Sequence, residues 1–336
     1  ESLMLCGIGG VGKTTLTKGF IAEMKKKGER VEIISRCHVS TKPLGGHTAD
    51  KFILSTLGGF RNGTLVIEEA SQVPHYIWCQ LLGLKRLGIR FLILGDIANQ
   101  LPPVSDCFQG RDMELKANAE FLRILTDCNR LTLTEGKRSD SRLFDFYSKL
   151  AEGGEWADLP LTAQIQKARE EFGKPPAGHI PMFQLTISHK HRMSLIRAAQ
   201  RQETNEAREA GKDVIWLPPL VSSCQNKTQG LYMFEGKLLI AIATAKGVYN
   251  SQLLRCTAVG GGVCEFQDAE TEATITLTHA TIQKHLRSAR AFTYASVQGR
   301  GFDSVGIHTQ STKFTKKHLF MALSRAKSSE RLWIMD

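Results

Sequence analysis

Nine consecutive residues near the amino end constrain this chain more than any others: Gly7-Ile8-Gly9-Gly10-Val11-Gly12-Lys13-Thr14-Thr15. Gly7, Gly12, Lys13 and Thr14 fit the spacing G-x-x-x-x-G-K-[ST], the phosphate-cradling P-loop. Glycines let the backbone turn tightly and aim its N–H groups inward at phosphate oxygens. In that arrangement Lys13 reaches the outer phosphates and the Thr14 hydroxyl holds Mg²⁺. The flanks agree with the motif. Leu3-Met4-Leu5-Cys6 is a short apolar run suited to a buried parallel strand. Thr15 to Lys26 reads as a helix, with Leu16, Phe20 and Met24 four apart on one face. The start of that helix adds partial positive charge to the anion site. Gly7, Gly9, Gly10, Val11, Gly12, Lys13, Thr14 and Thr15 are therefore the expected nucleotide-binding residues.

The remaining composition narrows the class of molecule. With 336 residues the chain has room for two domains and a small third. No apolar run approaches the roughly 20 residues of a membrane span, and no signal-peptide pattern is present. A formal net charge of +11 favours a polyanionic partner, nucleic acid first. The 8 cysteines show no C-x-x-C pair and no Cys/His cluster, which points to reduced, mostly buried thiols in an intracellular protein without structural zinc. Core strands lie almost at both ends, and this leads to the expectation that the chain is part of a longer polypeptide.

Val31 to Ile34 reads as a second strand, followed by a polar loop with Arg36, His38, Ser40, Thr41 and Lys42; a helix is expected to begin at His47. A basic, hydroxyl-rich loop of this kind can contact a nucleic-acid backbone or simply be solvated. Thr64-Leu65-Val66-Ile67 is a buried strand that runs into Glu68 and Glu69. At the carboxyl end of a parallel strand these carboxylates stand beside the P-loop. Glu68 takes the metal role and Glu69 that of the base for an attacking water. Phe91 to Leu94 is a further strand, ending in Gly95-Asp96-Ile97-Ala98-Asn99-Gln100-Leu101-Pro102-Pro103-Val104.

That last run closely resembles motif III of superfamily 1 helicases, especially the RecD-like branch of superfamily 1B. The resemblance continues in order along the chain. Gly7 to Thr14 matches motif I, Val31 to Phe52 the Ia region, and Glu68-Glu69-Ala70-Ser71 motif II. Arg138 matches the motif IV arginine, Phe292 to Gly301 resembles motif V with Gln298 and Gly299 at its core, and Phe320 to Lys327 matches motif VI. The resemblance implies an α/β fold of two RecA-like P-loop NTPase lobes with parallel sheets. Lobe 1A would cover residues 1–178 and lobe 2A residues 179–336, with the charged stretch from Glu155 to Gly178 as linker. A small SH3-like β subdomain would be inserted at about 225–288, where short strands alternate with Gly and Asn turns.

The resemblance also implies a function: an ATP- and Mg²⁺-dependent motor that moves on single-stranded nucleic acid and unwinds duplex, DNA before RNA, with 5′-3′ polarity, in replication or repair. Lys13, Glu69, Gln100, Arg138 and Arg325 would be its catalytic residues. Gln100 would sense the γ-phosphate, and Arg138 and Arg325 would act as arginine fingers. Gln298 and Gly299 join the nucleotide-binding set, and Thr14 with Glu68 forms the metal set. Single-stranded or forked nucleic acid would meet His38, Lys42, His47, Thr48, His189, His191 and Ser296. His189 and His191 lack a third ligand nearby and are not expected to form a metal site. Two departures are visible, Glu68 where Asp is usual and Ala295-Ser296 in place of a His-Lys pair, and two more are expected: that the chain lacks the adenine-reading glutamine motif ahead of the P-loop, and that it lacks the strand-splitting hairpin before motif II. They sustain an alternative, a catalytically weak helicase-like module that binds nucleic acid within a larger protein. A small-molecule kinase explains neither Gln100-Leu101-Pro102-Pro103 nor Arg325.

Overall fold

In the computed structural model of the chain, Leu3–Cys6 forms β1 and the P-loop leads from it into α1 (Lys13–Lys26). The structure describes residues 1–36, 41, 44–103, 107–108, 111–112, 119–220, 229–245, 247–297 and 299–335. The first stretch continues through β2 (Val31–Ser35), β3 (His47–Thr48), α2 (Ala49–Ser55), β4 (Thr64–Ile67), α3 (His75–Lys85) and β5 (Arg90–Gly95). Two short strands, β6 (Cys107–Phe108) and β7 (Arg111–Asp112), pair antiparallel. After them come α4 (Glu120–Leu125), β8 (Arg130–Thr132), α5 (Ser141–Leu150) and α6 (Leu161–Phe172).

Strands β3-β2-β4-β5-β1-β8 form one sheet in that spatial order, and every pairing in it is parallel. A parallel sheet needs cover on both faces, and its central strands β1, β4 and β5 are accordingly mainly apolar, while β3 and β8 at its edges are polar. Leu5, Ile33, Val66, Leu92 and Leu94 pack with Ile21 of α1 on one face. Met4, Cys6, Ile34, Leu65, Ile67 and Ile93 pack with Phe52, Ile77, Trp78 and Leu122 on the other. Because the strands are parallel, the P-loop after β1, Glu68-Glu69 after β4 and Asp96 after β5 emerge at the same edge. Strands β4, β5 and β1 are direct neighbours there.

Several local expectations are corrected. Helix α1 buries Thr17 and Ile21, while Leu16 is 39% and Phe20 44% exposed. Positions 17, 21 and 24 face the sheet, and the stripe of Leu16 and Phe20 lies about 100° around the helix from them. His47 does not open a helix: His47-Thr48 pairs with Ile34-Ser35, and Thr48 then caps α2 by accepting a hydrogen bond from the Lys51 N–H at 3.3 Å. The charged stretch after Glu155 contains α6, which buries Gln164, Ala168 and Phe172 and sets the Phe172 ring 4.9 Å from that of Phe146. Among the described cysteines, Cys6, Cys256 and Cys264 are buried and Cys79 and Cys128 exposed, all as free thiols.

The chain divides into two compact units, Glu1–Ala177 with Tyr294–Asp336, and Gly178–Thr293. In the second, β9 (Phe183–Thr186) leads into α7 (His189–Glu209), whose first turn is capped by Ser188. There follow β10 (Ile215–Leu217), β11 (Leu231–Met233), β12 (Leu238–Ala241), β13 (Leu253–Val259), β14 (Val263–Asp268), β15 (Thr274–Thr278), α8 (His279–His285), β16 (Leu286–Ser288) and β17 (Ala291–Thr293). Strands β15-β14-β13-β12-β16 form an antiparallel sheet over a core that includes Leu254, Phe266 and Leu286. β9 and β17 pair in parallel. Lys237, fully buried, is neutralised by Glu203 of α7 at 2.5 Å, and Arg290 donates to the same carboxylate. The final segment returns to the first unit with β18 (Val305–His308), α9 (Lys316–Arg325) and β19 (Leu332–Met335); β18 and β19 are parallel. Among the described residues no helix is long and apolar enough to cross a membrane.

Candidate nucleotide site

The P-loop takes its shape from backbone conformations that only glycine adopts freely. Gly10 and Gly12 have φ of 90° and 85°, and Gly12 closes the loop as the residue before α1. A side chain at Gly7 would stand 2.6 Å from the Leu133 carbonyl oxygen. The loop is also tied from outside. The buried Tyr147 hydroxyl of α5 donates to the Gly9 carbonyl at 2.8 Å, and the Lys137 N–H donates to the Gly10 carbonyl at 2.8 Å. Tyr147 is in turn fixed edge-on between Phe144 of α5 and Phe320 of α9.

Lys13 donates to the carbonyls of Gly7 (2.7 Å) and Ile8 (3.0 Å), curling back over its own loop. Removal from water lowers its ammonium pKa, opposed by the charges of Glu69, Asp96 and Glu68. Thr14 donates its hydroxyl to Glu68. Glu68 is 5% exposed, and burial, then the adjacent Glu69 charge, push its carboxyl up to about 7. Glu69 holds a left-handed backbone at φ 51°, an uncommon state for a non-glycine residue that concentrates at functional positions.

Motif III and the last helix complete the wall. Gln72, just beyond Glu69, donates to the Leu101 carbonyl at 2.6 Å and so fastens the two loops together. Gln100 is 2% exposed, and its side-chain oxygen accepts from Arg325 Nη2 at 2.9 Å. Arg325 Nη1 lies 3.6 Å from the Glu69 carboxylate. One cavity of about 150 Å³ is lined by Gly9, Gly10, Gly12, Lys13, Thr14, Thr15, Glu68, Glu69, Gln100, Arg138 and Arg325, together with Gly95, Asp96 and Lys137.

The expected residues thus separate into groups. Those of motifs I to IV and Arg325 converge on the cavity; Val11 is packed beneath the loop, 4% exposed, and Gly7 faces a neighbouring pocket. Gly299, which follows the short helical turn at 294–297 with φ 84°, does not line the cavity. Gln298, His38 and Lys42 lie outside the described residues. His47, Thr48 and Ser296 belong to the first unit and His189 and His191 to the second. His47 stands 3.9 Å from Glu32, and His191 shares a 3.0 Å hydrogen bond with Thr186. Sequence reasoning gave no role to Tyr147, which tethers the loop at Gly9. It also gave no role to Asp96, although Asp96 lies inside the motif III run.

The oxygen donors gathered here fit a hard divalent cation. Thr14 Oγ1 and Glu68 are already in contact, Glu69 is adjacent, and a buried Asp96 oxygen has no partner among the described residues. The groups of three or more His, Cys, Asp or Glu that bind metal by themselves are absent among the described residues, so a cation here would also need phosphate oxygens and water.

Residues 195–332 match the viral superfamily 1 RNA helicase core domain. No curated protein matches the chain. Among solved structures, the chain is similar to the Pif1 helicase from Candida albicans at 18% identity and a TM-score of 0.69, over 100% of this chain and 91% of that one. It is also similar to the Pif1 helicase from Bacteroides in complex with ADP-AlF3 and ssDNA, at 17% identity and a TM-score of 0.62, over 100% and 89% of the two chains. A structure of two coordinating Pif1 helicases at forked dsDNA gives 19% identity and a TM-score of 0.64, over 99% and 87%. The chain therefore has the α/β fold with parallel sheets of the RecA-like lobes in those helicases.

Proposed function

We propose that this chain is an ATP-dependent helicase of superfamily 1 that moves on single-stranded nucleic acid. The observation that carries the reading is the convergence of Lys13, Thr14, Glu68, Glu69, Gln100 and Arg325 on one cavity from four separate stretches of sequence. The N–H groups of Gly9 to Thr14 and the Lys13 ammonium bind the phosphates of ATP. For this, Lys13 exchanges its bonds to the Gly7 and Ile8 carbonyls for phosphate oxygens. Thr14 and Glu68 would hold Mg²⁺, which would neutralise charge on the outer phosphates. Glu69 orients a water and takes its proton as the water oxygen bonds to the γ-phosphorus, while the bond from that phosphorus to the bridging oxygen breaks. Arg325 and Arg138 neutralise the charge that develops, and Gln100 couples phosphate occupancy to Arg325 through their shared hydrogen bond.

The finer placement is the RecD-like branch, with 5′-3′ movement, Mg²⁺ as cofactor and DNA as the preferred strand. The similar Pif1 helicase structures with ssDNA and at forked dsDNA support DNA. We keep residues 1–178 and 179–336 as the two lobes, with a β subdomain at about 225–288; the break between compact units at Ala177/Gly178 supports the first of these boundaries. A net charge of +11 suits a phosphate-lined path, so binding weakens steeply with salt. His38, Lys42, His47, Thr48, His189, His191 and Ser296 remain our candidates for contacts to the strand, and Gln298 and Gly299 for contacts to the nucleotide.

Strand displacement on forked duplexes tests the whole reading. Substrates carry a 5′ or a 3′ tail, in DNA and RNA versions. ATP-dependent opening of the 5′-tailed DNA fork is expected. Opening of the 3′-tailed fork alone reverses the polarity, preference for RNA reassigns the substrate, and absence of any opening leaves the non-motor alternative. One observation favours that alternative: Glu69 and Gln100 are both engaged by Arg325, which holds the catalytic groups to one another.

A further inference from the structure

Strand β5 lies between β1 and β4, so the residue that leaves its carboxyl end stands between the P-loop and the Glu68-Glu69 pair. That residue is Asp96, 6% exposed and part of the lining of the nucleotide cavity. One of its oxygens is fully occupied: Oδ1 accepts from the Asn99 N–H at 3.2 Å and from Asn99 Nδ2 at 2.8 Å. Asn99 is itself held, because its Oδ1 accepts from the Glu152 N–H at 2.7 Å. The carboxylate plane is therefore set from outside the cavity. The other oxygen, Oδ2, is buried and accepts from no group among the described residues. The approach on this side is close: a side chain at Gly95 would stand 3.1 Å from the Ala70 nitrogen. A buried carboxylate oxygen without a donor is costly, and such an oxygen in a native fold calls for an occupant.

We propose that Asp96 is a positioning residue for the metal–nucleotide complex: its Oδ2 accepts a hydrogen bond from a water in the hydration shell of Mg²⁺ held by Thr14 and Glu68. The proposal rests on the cavity being a nucleotide–Mg²⁺ site. Water rather than the ion itself is the partner, because Mg²⁺ keeps several waters and takes only one or two carboxylates directly. Asn99 and the Glu152 N–H then act as the outer supports that orient Asp96. The arrangement gives this cleft a third carboxylate behind the motif II pair.

Asp96→Asn tests this directly, since it keeps the side-chain size and the Asn99 contact while placing an N–H₂ donor where an acceptor is required. Affinity for a fluorescent ADP is measured without metal and across a Mg²⁺ titration on the full chain, with a thermal melt of each variant. Metal-free ADP affinity is expected not to fall, since the change removes a negative charge from the phosphate side, while half-saturating Mg²⁺ rises about tenfold. Mn²⁺ binding to the ADP complex, read by electron paramagnetic resonance, should weaken in parallel. An unchanged half-saturating Mg²⁺ with ADP bound overturns the proposal. Should Asp96→Asn fail to fold, Asn99→Ala leaves the carboxylate but frees its orientation. It is expected to raise half-saturating Mg²⁺ by about tenfold, the low end of outer-shell effects, and no change there overturns the proposal equally. If the unsubstituted chain binds neither ADP nor Mg²⁺, the nucleotide reading itself fails, which is a different result from normal binding that Asp96→Asn leaves untouched.

Discussion

Replacing Glu68 by Gln should stabilise the nucleotide-free protein above pH 7 and flatten its stability against pH. Glu68 is 5% exposed, and burial together with Glu69 lifts its carboxyl from 4.5 to about 7, against the opposing pull of Thr14 and Lys13. Between those two values the folded chain holds a proton that the unfolded chain has released. Stability therefore falls as pH rises through that window, and above about 7 the folded chain carries the full cost of a buried charge. The separation of the two values corresponds to roughly 3 kcal/mol, an upper bound because Glu68→Gln also alters the hydrogen bond from Thr14. For a unit of this size that is a rise of roughly 2–4 °C in Tm per kcal/mol. Urea melts of both proteins from pH 5 to 8, without nucleotide or metal, measure the effect. The curves should converge near pH 5 and separate toward pH 8, with the variant the more stable. Mg²⁺ should then recover stability in the unsubstituted protein only. Parallel pH profiles, or a variant less stable at pH 8, would refute the reasoning, because they would mean that Glu68 carries no buried charge.

Three further outcomes follow from particular contacts. Arg325→Ala should lower kcat for ATP by about 10³ with little change in KM, since the guanidinium serves the transition state more than ground-state binding; steady-state kinetics separate the two constants. Tyr147→Phe removes only the hydroxyl that donates to the Gly9 carbonyl, so a loss of about 1 kcal/mol in urea denaturation is expected, with weaker ADP binding as the loop loosens. In the second unit, Glu203→Gln leaves Lys237 buried without its counter-charge. It should cost about 3 kcal/mol in stability, read by denaturation.

The candidate site was legible where chemistry depends on neighbours in sequence. The P-loop, Glu68-Glu69 and Gly95 to Pro103 each combine a strand with the turn that follows it, and a parallel sheet brings such turns to one edge whatever lies between them. The strands themselves were legible for the same reason: a strand buried on both faces is a short, unbroken apolar run, as in β1, β4 and β5. Facing directions were less legible. Leu16, Phe20 and Met24 make a convincing stripe on α1, yet Thr17 and Ile21 are the residues buried, because the sheet selects one side of a helix on which both sides carry apolar groups. Helix α6 was hidden by its charge, since only Gln164, Ala168 and Phe172 face inward. The hydrogen bonds that tie the site together were not legible in local sequence, although the resemblance had already named Gln100 and Arg325. Tyr147 to Gly9 spans 138 positions and Arg325 to Gln100 spans 225, and no local pattern encodes contacts of that range.

The central claim is that hydrolysis in this cavity is driven by nucleic acid. Steady-state ATP turnover with Mg²⁺, with and without single-stranded DNA, tests it most directly, with Lys13→Ala as the paired control. The account predicts turnover stimulated by the strand, falling with added salt, and abolished by Lys13→Ala. Turnover indifferent to DNA and RNA, or undiminished in Lys13→Ala, would contradict it.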